Sequence, residues 1–364
     1  MLEKLTIVIP TYERHDYIKR TMMFWKDYNV QLIVIDGSAL PVDSEFIAKL
    51  PSSILYIHDQ STQYNRILKA GKLVETEYVI LGCDDEFYVP SALLRCISEL
   101  DKDEELVSCG GVALGFYSEN RVVYGRPIYP RLINKELKEK SAVDRVRKHL
   151  SNYDQAHLYS VCRTAVWVYM VSHVFKHEYP FFACWELQIE ILIPAAGKSK
   201  VVPELLWMRG YEAAPIRGTS SSMSRDIVIN EWWESSLYSE NKIKFINEMN
   251  AVNRELCLIT NNPYEPCVVE GVEAYLEWSY KYSRKRSTLK TLLFTVLPNY
   301  LKAFVKRLRN KFIGPKKGWV ELSVAARSLG VLGVHIDYDD LKKIESVIRK
   351  FHRNHLDQNS VSSI

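Results

Sequence analysis

Residues 78–87 read YVILGCDDEF. Four apolar residues suited to a buried strand run, through Gly82 and Cys83, straight into Asp84, Asp85 and Glu86. Unpaired carboxylates are costly in a core. The three acids therefore mark either a binding site at the strand's end or an acidic turn capping the helix that starts near Pro90, a residue suited to a first helical turn. Working back towards the N-terminus, the same alternation repeats. LTIVIP (5–10), QLIVID (31–36) and SILYIHD (53–59) read as strands. RHDYIKRTMMFWKDY (14–28), SEFIAKL (44–50) and STQYNRILKAGKLV (61–74) carry helical spacing, as does VPSALLRCISEL (89–100) beyond the acids. Fully apolar strands alternating with helices predict an α/β fold, a mostly parallel sheet covered on both faces.

Further along, ELVSCGGVALGFY (105–117) and RVVYGRPIY (121–129) read as strands of a hairpin. AVDRVRKHLSNY (142–153), TAVWVYMVSHVF (164–175) and WELQIEILIPAAG (185–197) read as helices, and residues 209–226 as a polar loop. From about Glu231 the chain reads as mostly helical, with one last helix after Gly318 and a Ser-rich disordered end. The predicted division is a domain over 1–230, in halves 1–100 and 101–230, and a helical region over 231–364.

In an open parallel sheet, ligands sit outside the carboxyl ends of the strands. Three strands here end in polar residues on that edge: Pro10-Thr11-Tyr12, Asp36-Gly37-Ser38 and Asp84-Asp85-Glu86. Adjacent acids point to opposite sides, so one can hold a hard divalent cation while the other binds hydroxyls. Mg²⁺ or Mn²⁺ on one or two carboxylates completes its shell with phosphates and water, which suits a nucleoside diphosphate. No GxGxxG and no GxxxxGK[ST] is present, so a glycine cradle for phosphates is excluded.

Segments TIVIPTYERHDYIKR, LIVIDGS, NRILKA and TEYVILGCDDEFYVPSALLRCISEL resemble, in that order, the donor half of family-2-type glycosyltransferases of the GT-A fold. The resemblance covers roughly residues 1–215 and is most specific in the fourth segment, where the acids look like the family's DxD-type motif. It implies a nucleotide-sugar donor, a divalent metal and a hydroxyl acceptor on a saccharide or a lipid-linked surface glycan. By resemblance, Thr11, Tyr12 and Arg14 contact the nucleotide, Asp36 lies near the base and Arg66 near the nucleotide or diphosphate. Asp84 binds ribose or donor sugar, and Asp85 is the metal ligand. The family often has two acids at the second strand, whereas Ile35 precedes Asp36 here. ACWELQIEILIPAAGK (183–198) resembles the helix carrying the general base, commonly an acidic pair. With Glu186-Leu187 at that place, Glu186 is the leading base, Glu190 one turn later is the alternative, and a purely capping Glu186 is a third reading. His157 reads as structural or acceptor-facing, Arg209 and Arg217 as phosphate ligands or solvated loop residues, and Trp207, Tyr211, Trp232 and Trp233 as sugar-stacking or core. Leu187 keeps open a binding module without turnover, and strand-end acids with Mg²⁺ keep open a nucleotidyltransferase.

Charge is uneven along the chain. Residues 281–317 hold twelve Lys and Arg and no acid, which leaves residues 1–280 with a net charge of −8. Leu289, Leu292, Leu293, Val296 and Leu297, then after Pro298 Leu301, Phe304, Val305, Leu308 and Phe312, follow helical spacing. A basic amphipathic segment suits an anionic lipid surface, at about 1 kcal/mol per basic residue. Packing on the main domain is the other reading. The acidic body argues against nucleic acid. Seven scattered cysteines without a pairing framework suit a reducing compartment. With no signal-like N-terminus and no apolar run of about 18 residues, the expectation is a cytoplasmic protein peripheral to the inner face of the membrane.

Overall fold

The computed structural model describes residues 1–181, 183–212, 227–295 and 318–361, with side chains described up to 281 and from 318 to 353. The amphipathic pattern expected from Leu289 to Phe312, Arg217 and the Ser-rich end lie outside the residues or side chains so described.

In chain order, the strands are β1 (Leu5–Thr11), β2 (Gln31–Asp36), β3 (Ile54–His58), β4 (Tyr78–Leu81), β5 (Phe87–Tyr88), β6 (Leu106–Glu119), β7 (Val122–Ile128), β8 (Glu136–Leu137), β9 (Val161–Arg163), β10 (Lys198–Gly210) and β11 (Val320–Glu321). The helices are α1 (His15–Trp25), α2 (Ser44–Ile47), α3 (Gln63–Gly71), α4 (Pro90–Lys102), α5 (Ala142–Leu150), α6 (Thr164–Val174), α7 (Cys184–Ala196), α8 (Ile229–Glu234), α9 (Ser239–Ile259), α10 (Val268–Thr295), α11 (Leu322–Val331) and α12 (Tyr338–Val361).

One sheet runs β11-β7-β6-β9-β4-β1-β2-β3, and β10 joins it through β6 while also pairing β5 and β8. Strands β3, β2, β1 and β4 are mutually parallel. Short β9 is antiparallel to both β4 and β6, and β10 is parallel to β6. Because strand side chains alternate, Ile7, Ile9, Leu32, Val34 and Ile80 face a core shared with Ile18 and Met22 of α1 and Leu93 and Ile97 of α4. Val8, Ile33, Ile35, Val79 and Leu81 face the opposite core with Ile67 of α3, Trp167 and Met170 of α6, and α7. That two-sided burial is why these strands are apolar throughout, as the expected fold requires.

Two features depart from the sequence reading, one unread in it and one an expectation that fails. Strand β10 went unrecognised: Pro203 and Glu204 interrupt its alternation, and its pairing with β6 shifts register between Val201 and Trp207. The tail after Gly318 is not one helix. It forms β11, which extends the sheet edge on β7, then α11 and α12, separated by a turn in which Gly333 adopts φ +83°. All seven cysteines are free, and no described helix is long and apolar enough to cross a membrane.

Candidate functional site

Parallel pairing places Thr11 opposite Asp36, with the turn after β4 beside them, so the three polar strand ends do meet at one edge. Asp84 is 4% exposed. Its Oδ2 accepts from Thr11 Oγ1 at 2.7 Å, its Oδ1 from Arg14 Nη1 at 3.1 Å, and its carbonyl from Thr21 Oγ1 at 2.7 Å. The same Arg14 Nη1 reaches Asp85 Oδ2 at 3.2 Å, so one guanidinium bridges both carboxylates. Burial raises the pKa of Asp84. Burial and the charge of Asp84 push Asp85 up to about 6, and burial with the charge of Asp85 pushes Glu86 up to about 8. Asp84 and Asp85 offer hard oxygen donors of the kind Mg²⁺ or Mn²⁺ takes, with the Arg14 guanidinium bridging them here. Asp85 presents part of its side chain to solvent while Asp84 lies behind it.

The turn is fixed from behind by Gly210 at the end of β10. A Cβ there would come within 2.4 Å of the Asp85 carbonyl oxygen. Gly210→Ala must therefore push the acids outward. Displacements on the order of 1 Å can cost about 10²-fold in kcat/KM, and that loss, with a folded protein by circular dichroism, is the expected result.

Asp36 is fully buried. It accepts from Ser38 N at 2.9 Å and Tyr56 Oη at 2.6 Å, with His15 Nε2 at 3.2 Å. The guanidinium of Arg66 lies against Gly37, where a Cβ would meet Nη1 at 1.9 Å, and donates to the Ser61 carbonyl. Burial works against its charge. Tyr12 follows Thr11 in the same turn, half-buried. Thr11, Arg14, Asp84 and Asp85 thus form one cluster, and Asp36 with Arg66 a second one next to it.

Glu186 is joined to the acids by a chain of polar contacts. Glu86 accepts from Trp207 Nε1 at 2.7 Å and lies 3.9 Å from Arg209. Arg209 donates to Tyr129 Oη, and to Gln155 Oε1 at 3.4 Å, and Tyr129 also donates to Gln155 at 2.7 Å. Tyr153 Oη in turn donates to Glu186 Oε1 at 2.5 Å, and Gln155 lies near enough to lower the Glu186 pKa. Burial raises the pKa of Glu186, and the Tyr153 hydrogen bond opposes that rise. Trp207 is core, sandwiched between Tyr129 and Tyr159, and Trp232 is fully buried.

Glu190, one turn along α7, is sealed. Its Oε2 faces His149 Nε2 at 2.6 Å and His157 Nδ1 at 2.9 Å, and Oε1 accepts the backbone N–H of His157 and Leu158, each at 3.1 Å. Burial alone would raise its pKa, but the two rings hold it below the usual carboxylate range. Burial, then the nearby Lys135 and His157, push His149 down to about 3. Among the described residues these three are a group spaced for an ion. Their hydrogen bonds already satisfy the carboxylate, and they clamp the 151–160 segment, with Tyr153 and Gln155, onto α7. His157 and Glu190 are thus both buried, with their polar atoms turned to each other and to protein neighbours. Sequence reasoning missed Arg20, Thr21, Tyr129, Tyr153 and Gln155; of these only Arg20, a cation inside an amphipathic helix, carried any local signal.

Residues 6–167 match the family model described as Glycosyl transferase family 2. Among solved structures, the chain is similar to S. aureus TarS 1-349, at 12% identity over 97% of this chain and 91% of that one, with a TM-score of 0.46. It is also similar to TarS 1-349 in complex with UDP-GlcNAc, at 14% identity over 97% and 92% and TM-score 0.46. For TarS 1-349 in complex with UDP the figures are 14% identity, 77% and 91%, and 0.41. No curated protein sequence matches the chain significantly.

Proposed function

We propose that this chain, a glycosyltransferase whose residues 6–167 belong to glycosyl transferase family 2, moves a sugar from a nucleoside-diphosphate donor to a hydroxyl of a saccharide or lipid-linked acceptor in surface-polysaccharide synthesis. The observation carrying the reading is the run of polar side chains from the Asp84–Asp85–Glu86 turn, through Arg209 and Gln155, towards Glu186. It supports a cation- and phosphate-directed group acting beside a carboxylate of raised pKa.

In this reading Asp36 and Arg66 would flank the nucleotide, Asp84, whose oxygens accept from Thr11 and Arg14 here, would take donor hydroxyls once Arg14 swings to phosphate, and Asp85 would hold a Mn²⁺ or Mg²⁺ ion. The ion, when bound, neutralises charge on the departing diphosphate. Arg14, which bridges the two carboxylates, is placed to turn its guanidinium to phosphate oxygens. Glu186 accepts the proton of the acceptor hydroxyl as its oxygen bonds to the anomeric carbon and the carbon–oxygen bond to the diphosphate breaks. One displacement of this kind inverts the anomeric centre. Tyr275 and Trp278 of α10, packed on Tyr153 at 5.1 and 5.3 Å, offer aromatic faces of the kind sugars stack on.

The test is release of UDP or GDP from a panel of nucleotide sugars with Mn²⁺, followed by the anomeric configuration of any product by NMR. Release dependent on Mn²⁺ supports the reading, and none from any donor contradicts it. The pH profile gives a second check. Tyr153→Phe removes a donor to the Glu186 carboxylate, so the Glu186 pKa rises further and less of it is ionised at acidic pH. The acidic limb of kcat/KM should move to higher pH while the alkaline limb stays.

Residues 281–317, with twelve cations and no acid, support docking at the inner face of an anionic membrane. Cosedimentation with phosphatidylglycerol vesicles, lost in high salt, is the expected result.

A further inference from the structure

We infer that helix α12 is a working part of the donor site: through His352 and Glu212 it holds Arg20 beneath the Asp84–Asp85 turn and so fixes the position of Asp85. The inference rests on the donor-site reading above.

Arg20 sits on α1 with its side chain 2% exposed. Its Nη2 donates to the Asp85 carbonyl at 3.1 Å and its Nη1 to Glu212 Oε2 at 2.8 Å. Its guanidinium lies among Tyr17, Phe87 and Phe351, at 5.0, 4.9 and 4.6 Å from their ring centres. The side chain of Glu212 is 1% exposed, and its other oxygen, Oε1, meets His352 Nε2 at 2.6 Å. Burial opposes its charge, yet His352 and Arg20 keep its pKa below the usual carboxylate range. The segment ending β10 therefore touches Asp85 twice, directly at Gly210 and through Glu212 and Arg20.

Covering an apolar sheet face accounts for Leu341, Ile344 and Ile348 of α12, which belong to the core. It does not account for the contact between His352, further along the helix, and the buried Glu212 carboxylate. A buried carboxylate that loses one of its hydrogen-bond donors is left partly unsatisfied. Without His352, one oxygen of Glu212 loses its donor inside the protein, Glu212 turns towards solvent, and Arg20 loses the contact that aims it at Asp85. Phe351 and His352 are positioning residues in this scheme, acting through Arg20.

The experiment is calorimetric titration of the intact chain and three variants with UDP and GDP in the presence of Mn²⁺. His352→Ala should weaken nucleotide binding about tenfold, within the range that packed networks transmit. His352→Gln, whose amide can still donate to Glu212, should stay within about twofold of the unmodified chain. Asp340→Asn weakens a separate tie of α12, the Ser91 N–H to Asp340 contact at 2.9 Å. It should also stay within about twofold, although it loosens the same helix. Unchanged affinity in His352→Ala overturns the inference, as do equal losses in all three variants, which would mean general loosening. Failure of the unmodified chain to bind either nucleotide overturns the donor-site reading itself and the inference with it.

Discussion

Glu186→Gln is expected to lower turnover by about 10²–10⁴-fold, the range general bases contribute, while donor affinity stays within about twofold of the unmodified chain. The substitution is nearly isosteric and keeps a partner for Tyr153 Oη, so the loop that packs on α7 should hold its place. What it removes is the ability to take a proton. Single-turnover kinetics beside calorimetry separate the two effects: a loss of transfer with intact binding assigns the base. Full activity in Glu186→Gln would move the base elsewhere. Glu190 is a poor replacement, because four hydrogen-bonding groups already converge on a carboxylate with no exposure. Its substitution should damage folding first, by leaving two buried imidazoles without their common acceptor.

Asp85→Ala is expected to weaken Mn²⁺-dependent nucleotide binding by at least about 10²-fold, since losses of 10–100-fold already follow from disturbing groups that only orient a ligand. It should do so without lowering Tm at neutral pH. The folded protein pushes Asp85 up to about 6 through burial and the charge of Asp84. A carboxyl whose pKa is raised in the fold destabilises it above that pKa, where the group is ionised, so deleting the group relieves repulsion at pH 7 to 8. Loss of binding together with an undiminished Tm is the signature of a group kept for function at some cost in stability. Loss of both would make Asp85 a structural residue of the turn.

The parts of this molecule that could be read from its sequence were those written in short, contiguous stretches. Apolar β1, β2 and β4 declared a two-sided core, and their polar ends declared the edge where Thr11, Asp36, Asp84 and Asp85 now stand. Helix α7 was legible too, but Glu186 and Glu190 lie one turn apart on the same helix. Only the three-dimensional neighbours, Tyr153 against one and two histidines against the other, distinguish them. Strand β10 escaped because its register shifts break the two-residue period on which strand reading depends. The Arg20–Glu212–His352 path was beyond any local reading: its members are separated by 192 and 140 residues, and none of them points to the others.

The most direct test of the central claim is calorimetric titration of the intact chain with UDP and GDP, each with and without Mn²⁺. The account predicts that one nucleotide binds, and that binding requires the ion. If neither binds under either condition, and CDP and dTDP fail as well, the crevice at the end of β4 is not a nucleotide-sugar site and the glycosyl-transfer mechanism built on it is wrong.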